Sequence, residues 1–168
     1  MILYLVRHAE PQIAEYSGFP GPQLGTIGKK QAIAIANFLK NRPIQQIIAS
    51  DYTRVLETIE PYQILAQKPL YNLPELRERE NEIETHEELV TRVQTWFRLF
   101  LTNNRYNTVI VSHCGPINMI LWELDYDQTI LNYPFECKYL CLTPKAGIWE
   151  LQIDNQILIS GRLIMECC

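Results

Sequence analysis

The sequence predicts an α/β fold: a three-layer sandwich in which a mainly parallel sheet is covered by helices on both faces. Short apolar runs alternate along the chain with longer stretches that have helical periodicity. The runs at 1–6, 44–50 and 107–113 are predominantly apolar, as expected for strands buried on both faces of a parallel sheet.

The predicted elements follow one another without a repeat or a linker, so we expect a single domain over residues 1–168. A proline lacks the backbone N–H of a helical residue, so we expect the second helix to be kinked or interrupted at Pro61. In order, the elements are a strand at 1–6, a helix at 27–40, a strand at 44–50, a helix at 51–67, an extended piece around Leu70, a polar segment at 73–85, a helix at 85–103, a strand at 107–113, a helix at 115–124, and two or three strands within 138–161.

Composition and charge exclude several classes of protein. The chain has 168 residues, 47% hydrophobic and 20% charged, which is typical of a globular domain. Its net charge of -4 provides no overall basic field, so we expect neither nucleic acid nor membrane as a partner. The apolar N-terminus reaches Arg7 after six residues, too short for a signal peptide or a membrane span.

The cysteines and the other potential ligands favour a protein without metal or cofactor. Five cysteines occur without a C-x-x-C pair, and no His/Asp/Glu cluster has metal-ligand spacing. The odd number of cysteines is typical of reduced thiols, so we expect a cytoplasmic protein. The cysteines are Cys114, Cys137, Cys141, Cys167 and Cys168.

Three predicted strands end in polar side chains. Arg7-His8, Ser50-Asp51 and Ser112-His113 each follow an apolar run, and Arg54 lies just beyond the second. In open α/β sheets ligands bind beyond the carboxyl ends of the strands. We therefore expect these side chains to lie together in one crevice.

These residue types suit phosphoryl transfer. Arginine presents a rigid fork of donors to phosphate oxygens, and the helix N-termini at Arg54 and after His113 add positive potential. Histidines among arginines have lowered pKa values and are neutral, which makes them nucleophiles. The pattern indicates transfer of a phosphoryl group to His8 or His113, with Arg7 and Arg54 neutralising its charge.

Five stretches in the same order resemble motifs of the histidine phosphatase superfamily, which has the phosphoglycerate mutase-like fold. They are "LVRHAE", "SGFPGPQLGTIGKKQA", "IIASDYTRVLETIEP" with "LPELRERE" after it, and "VIVSHCGPI". The resemblance implies that His8 is the nucleophile and becomes phosphohistidine. It implies that Arg7, Arg54 and His113 complete the phosphate pocket, and that no metal is required.

The family also uses a carboxylic acid, which protonates the leaving oxygen and then activates water. The family's L-R-E pattern places this acid at Glu78. Glu75, Glu80 and Glu82 remain alternatives.

The chain departs from the family pattern at three points. No Asn lies between His8 and Ser17, so Ser17 and the Gly18 backbone are expected to supply part of that phosphate contact. Cys114 follows His113 where the family usually has Gly, and we expect it to be a substrate-binding residue as well. The segment after the acid is short, so much of the lid over the site is missing. A mutase must keep water from its intermediate, so the open site argues against mutase activity and admits bulky substrates, including a phosphoprotein.

The sequence therefore predicts a metal-independent phosphatase that hydrolyses a phosphate monoester, with a phosphorylated small molecule as the main candidate substrate. A phosphohistidine protein phosphatase is an alternative, although such a leaving group needs less help from an acid such as Glu78. A non-catalytic phosphate-binding protein is the other alternative, suggested by the absent Asn and the short lid. A Rossmann-type nucleotide binder is disfavoured because no G-x-G-x-x-G follows a strand.

Overall fold

The computed structural model describes residues 1–12, 18–80, 83–131 and 143–165. Four helices, one 3₁₀ turn and six strands are formed within these ranges. They are β1 (Ile2–Arg7), α1 (Thr26–Leu39), β2 (Gln46–Ala49), α2 (Thr53–Ala66), β3 (Leu70–Asn72), the 3₁₀ turn (Pro74–Leu76), α3 (His86–Asn103), β4 (Thr108–Ser112), α4 (Cys114–Leu124), β5 (Ile148–Asp154) and β6 (Ile157–Met165).

The six strands form one sheet in the order β3-β2-β4-β1-β5-β6. Strands β1 to β4 are mutually parallel, whereas β5 pairs antiparallel with β1, and β6 pairs antiparallel with β5. The predicted fold class, a mainly parallel sheet with helices on both faces, is confirmed.

The alternation of side chains along β1 explains why its sequence is apolar throughout. Leu3 and Leu5 pack in a core cluster with α3 and α4, while Tyr4 and Val6 pack in the opposite cluster with α1 and α2. Successive strand residues point to opposite faces, and here both faces are covered by helices. A strand in this position has no solvent-facing side for polar residues.

The predicted interruption at Pro61 is wrong, because α2 continues through this residue to Ala66. The alternative, a kink at this residue, stays a prediction. Proline removes only one hydrogen bond of the helix, and the buried side chains of Ile59 and Tyr62 hold the helix against the core on both sides of it. The predicted strand at 138–142 lies outside the described residues.

Helix α3 begins with a capping box. The Thr85 hydroxyl accepts a hydrogen bond from the backbone N–H of Glu88, and the Glu88 carboxylate accepts one from the backbone N–H of Thr85. This cap ends the polar segment after the 3₁₀ turn and fixes where that segment joins the helix. None of the helices in the described ranges is long and apolar enough to cross a membrane.

Candidate active site

The carboxyl ends of β2, β4 and β1 are neighbours in the sheet and bring the three polar strand ends together. Just beyond the last strand residues, the backbone N–H of His8 donates to the carbonyl of Ser112 at 2.9 Å, and that of Ser50 donates to the carbonyl of Val111 at 3.0 Å. The register thus places His8, Ser50 and His113 side by side at one edge of the sheet.

One arginine joins the two histidines. Arg54 Nε donates to His8 Nε2 at 3.3 Å, and Arg54 Nη2 lies 3.0 Å from His113 Nδ1. The two imidazole rings have centroids 5.2 Å apart and meet edge to face. All three side chains are buried, with exposed fractions of 6% for His8, 8% for Arg54 and 0% for His113.

The hydrogen bonds assign a proton to each imidazole. His8 Nδ1 lies 2.8 Å from the carbonyl oxygen of Ala9, which can only accept, so Nδ1 carries the proton, and Nε2 is unprotonated and accepts from Arg54. Arg54 can only donate, so His113 Nδ1 accepts from it, and His113 Nε2 donates to Ser50 Oγ at 3.0 Å. The unprotonated nitrogen of His8 is therefore the one that faces Arg54.

Burial and positive charge keep both histidines neutral. Burial, reinforced by the charges of Arg54, Arg7 and Lys145, lowers the pKa of His8 to about 3. The pKa of His113 is also far below its usual value, because the ring is buried and because His8, Arg54 and Arg7 oppose its protonation. A neutral imidazole is the form that can attack phosphorus.

These lowered pKa values predict how stability depends on pH. In the unfolded chain both histidines bind protons below about pH 6.5, while in the folded protein they stay neutral. The free energy of unfolding should therefore fall as the pH drops from about 7 to about 4, by up to about 1.4 kcal/mol per pH unit for each histidine. Urea denaturation of the wild type and of His8→Asn across this range measures the effect. In His8→Asn one titrating histidine is absent, so the slope of the unfolding free energy against pH should be smaller by the contribution of about one proton. Equal slopes in the two proteins would contradict the prediction.

Arg7 lies at the pocket with part of its guanidinium unused. Its Nη1 donates to the carbonyl oxygen of Thr143 at 2.9 Å, which fixes the side chain. Its Nε is buried and has no hydrogen-bond partner among the residues that the structure describes. A buried N–H of an arginine without an acceptor is costly, and an oxygen of a bound phosphate would relieve that cost.

Glu78 lies at the N-terminus of α4. Its Oε2 accepts from the backbone N–H of Gly115 at 3.2 Å, and its charge acts on Arg7, favouring the charged guanidinium against the effect of burial. A side chain at position 115 would place its Cβ 2.3 Å from Glu78 Oε1. The glycine therefore leaves the space that this carboxylate occupies beside the helix end.

The other candidate acids have different surroundings. Glu80 accepts from the Tyr52 hydroxyl and, at 3.2 Å, from the backbone N–H of Phe19. Its carboxylate therefore supports the wall of the site behind Tyr52, whose ring meets His113 edge to face at 5.0 Å. Glu75 Oε2 is buried without a hydrogen-bond partner in the structure, and Glu82 lies outside the described residues.

Of the three expected substrate-binding residues, the structure describes two. Gly18 lies against Glu80, since a Cβ on it would be 3.4 Å from Glu80 Oε2. Cys114 is the first residue of α4 and is disulfide-bonded, so the predicted free thiol at this position is wrong. Sequence cannot reveal such a pairing, and the other four cysteines lie outside the described residues, as does Ser17.

Several supporting side chains received no role from the sequence. The Thr58 hydroxyl accepts from the backbone N–H of Ala9 at 2.9 Å and donates to the carbonyl of Arg54 at 2.6 Å. Gln31 Oε1 accepts from the backbone N–H of Glu10 at 2.8 Å. These bonds fix the loop that carries His8 to α1 and α2. The only signal for Thr58 and Gln31 was their place within the quoted motifs.

The rim beside His8 carries an ion pair. Lys145 Nζ lies 2.5 Å from Glu10 Oε1, and about a third of each side chain is exposed. Lys145 precedes Ala146, whose backbone N–H donates to the carbonyl of His8 at 3.2 Å. Among the described residues no group of three or more His, Cys, Asp or Glu side chains could hold a metal ion.

Comparison with known proteins agrees with this geometry. Residues 3–83 match the family model of the histidine phosphatase superfamily (branch 1). Just under half of the chain is therefore similar to this superfamily. The matched range contains His8, Arg54 and Glu78, and ends before the strand that leads to His113. No curated protein matches the sequence.

Several solved structures share the fold of this protein over nearly the whole chain. A proposed alpha-ribazole-5'-P phosphatase of Escherichia coli has a TM-score of 0.80 at 19% identity, covering 99% of this chain and 96% of its own. The alpha-ribazole phosphatase of Shigella flexneri has a TM-score of 0.79 at 20% identity, covering 98% and 96%. A mycobacterial glucosyl-3-phosphoglycerate phosphatase in complex with VO3 has a TM-score of 0.73 at 18% identity, covering 98% of both chains.

Proposed function

We propose that this protein is a metal-independent phosphatase that hydrolyses the phosphate monoester of a small molecule through a phosphohistidine on His8. The observation that carries this proposal is the unprotonated Nε2 of His8, which lies in a buried pocket beside Arg54 and His113. The phosphatases among the structural neighbours support the same reaction class. A cytoplasmic location is part of the proposal and rests on the cysteine pattern of the sequence alone, whereas the disulfide at Cys114 counts against it.

In the first half-reaction His8 Nε2 attacks phosphorus, and the bond from phosphorus to the ester oxygen breaks. Arg7 and Arg54 bind the phosphoryl oxygens as charge shifts between them. Glu78, in its protonated form, gives its proton to the departing oxygen. Its position at the N-terminus of α4, close to Arg7, supports this role over that of Glu80, which is already hydrogen-bonded behind Tyr52.

In the second half-reaction water attacks the phosphohistidine. The Glu78 carboxylate takes a proton from the water as its oxygen bonds to phosphorus, and the P–N bond breaks. His8 regains its lone pair and inorganic phosphate leaves. Glu78 thus ends the cycle protonated, ready for the next ester.

His113 would act on the phosphoryl group through Nδ1. Its Nε2 proton is engaged by Ser50, so only Nδ1 faces His8 and Arg54. When a phosphoryl group with two negative charges binds, protonation of Nδ1 becomes favourable and gives a further donor to the transferring oxygens. Ser50 is a positioning residue in this scheme, because it determines which nitrogen faces the phosphate.

Ser50→Ala should lower kcat by between about tenfold and a hundredfold, since a hydrogen bond to a charged group contributes about 1.5–3 kcal/mol. Ser50→Thr keeps the hydroxyl and should restore most of the activity. The ¹⁵N shifts of His113 provide a readout beyond activity. They should show a proton on Nε2 that is hydrogen-bonded to the hydroxyl in the wild type and in Ser50→Thr, and an Nε2 shift altered by the loss of that hydrogen bond in Ser50→Ala. Unchanged shifts in Ser50→Ala would contradict the assignment.

The test of the function is to trap the intermediate. The protein is incubated with p-nitrophenyl [³²P]phosphate in EDTA, quenched in alkali, and examined for label that is stable in alkali, labile in acid and located on the peptide containing His8. Turnover in EDTA together with such label supports the proposal. Turnover without label on His8 would contradict the phosphohistidine route, and binding of phosphate without turnover of a panel of esters would favour the non-catalytic alternative.

A further inference from the structure

A cavity of about 320 Å³ lies beside the proposed acid. Its walls include Glu78, Arg77, Glu80, Ile83 and Arg92. The volume is at the lower end of the range for small-ligand sites. Because Glu78 belongs both to this cavity and to the phosphate pocket, a group leaving from phosphorus would enter the cavity as it departs.

The guanidinium of Arg77 is held rigidly at this cavity. Asp51 binds it through two parallel bonds, at 2.8 Å to Nε and 2.5 Å to Nη2. One of its faces packs on the Phe19 ring, with Cζ 4.0 Å from the ring centroid. An arginine fixed in this way loses little further freedom when a ligand stacks on it.

Phe19 is itself held in place although it is 49% exposed. Its backbone N–H donates to Glu80 at 3.2 Å, and its ring meets the Tyr52 ring edge to face at 5.6 Å. Tyr52 in turn contacts His113. A continuous series of packed planar groups therefore runs from the phosphate pocket to Arg77.

The charges around the cavity disfavour a second anion on the substrate. Both arginines in its walls are already paired, Arg77 with Asp51 and Arg92 with Glu84 at 2.7 Å. Glu78 and Glu80 add carboxylates. The exposed side chain of Ile83 supplies apolar surface on the remaining wall. A planar, uncharged ring can stack on the guanidinium and pack on this surface without meeting a like charge.

We propose that this cavity binds the organic part of the substrate, and that this part is an uncharged alcohol carrying a planar aromatic ring that stacks on Arg77. The proposal rests on the proposed phosphatase function, whose leaving group it describes. Anionic esters such as phosphoglycerates are poor substrates in this scheme.

Two phosphate esters of equal size test whether the bound ring must be planar and aromatic. Benzyl phosphate and cyclohexylmethyl phosphate have leaving alcohols of similar acidity, but only benzyl is planar. The wild type should favour benzyl phosphate by about fivefold or more in kcat/KM, in line with a cation–π contact. A 4-carboxybenzyl phosphate should be poorer than benzyl phosphate. Equal kcat/KM values for benzyl and cyclohexylmethyl phosphate would overturn the proposal.

Variants locate the effect. Arg77→Lys keeps the positive charge but loses the planar guanidinium, and it should remove most of the preference for benzyl phosphate. Phe19→Leu, at a half-exposed position, should reduce it by releasing Arg77. Arg98→Lys is the matched control, because Arg98 makes a similar two-bond pair with Glu123 on α3 and α4, away from the cavity walls. Equal loss of the preference in Arg77→Lys and Arg98→Lys would contradict the assignment to Arg77.

Binding of the non-hydrolysable benzylphosphonate and cyclohexylmethylphosphonate, measured by calorimetry, separates the two proposals. If the protein turns over no ester but binds benzylphosphonate more tightly through Arg77, the function fails and the binding site stands. If it hydrolyses both esters through His8 with no difference in affinity between the phosphonates, the function stands and the proposed ring site is wrong.

Discussion

His8→Asn is expected to lower turnover of a phosphate monoester by at least about 10⁴-fold, the scale seen when an enzyme loses its nucleophile. Asparagine can place its Nδ2 where His8 Nδ1 lies and keep the donation to the carbonyl of Ala9. It has no atom at the position of Nε2. The loop should therefore keep its conformation while the attacking nitrogen is removed.

The measurement is steady-state hydrolysis of p-nitrophenyl phosphate in EDTA, with binding of inorganic phosphate, measured by calorimetry, as the control. Arg7, Arg54 and His113 remain in the variant, so phosphate should still bind. Retained turnover in purified His8→Asn would mean that water attacks the ester directly or that another side chain is the nucleophile. Loss of phosphate binding together with turnover would indicate instead that the pocket had collapsed.

Arg54→Lys is expected to lower turnover by about 10²–10³-fold, the usual cost of removing a preorganised donor from a transition state. The guanidinium reaches His8 and His113 at the same time through two different nitrogens. A lysine has one ammonium group and cannot occupy both positions. Lysine keeps the positive charge, so a loss of activity would measure the contribution of the guanidinium geometry.

Arg162→Lys is a suitable control for Arg54→Lys, because Arg162 is an exposed arginine paired with Glu150 and lies away from the pocket. Both variants should be compared in hydrolysis of p-nitrophenyl phosphate and in vanadate affinity. Comparable activity of Arg54→Lys and the wild type would show that charge alone is sufficient at this position.

The strand ends were predictable because the rule for parallel sheets is local. An apolar run followed by His8, or by His113, identifies both the strand and the edge where it ends. The partner of Arg7 could not be found in this way. Thr143 precedes β5, an antiparallel strand, and it is the start of that strand that lies beside the carboxyl end of β1. No periodicity marks such an approach.

The choice among the glutamates depends on tertiary contacts. Glu78 and Glu80 are two residues apart in a segment without regular structure, and nothing in their immediate sequence separates their roles. They differ in what other parts of the chain bring to them: the backbone N–H of Gly115 to Glu78, and the Tyr52 hydroxyl to Glu80. The family's L-R-E pattern pointed to Glu78 only by the spacing of residues in the sequence.

The bond from Arg7 to Thr143 joins residues 136 positions apart in the chain. His8, Arg54 and His113 are similarly scattered, so no subset of neighbouring elements can build the pocket alone. A site of this kind has high contact order, and its parts meet only after much of the chain has been ordered. Catalytic competence should therefore appear late in folding, together with the docking of β5, and should be lost early when that strand separates.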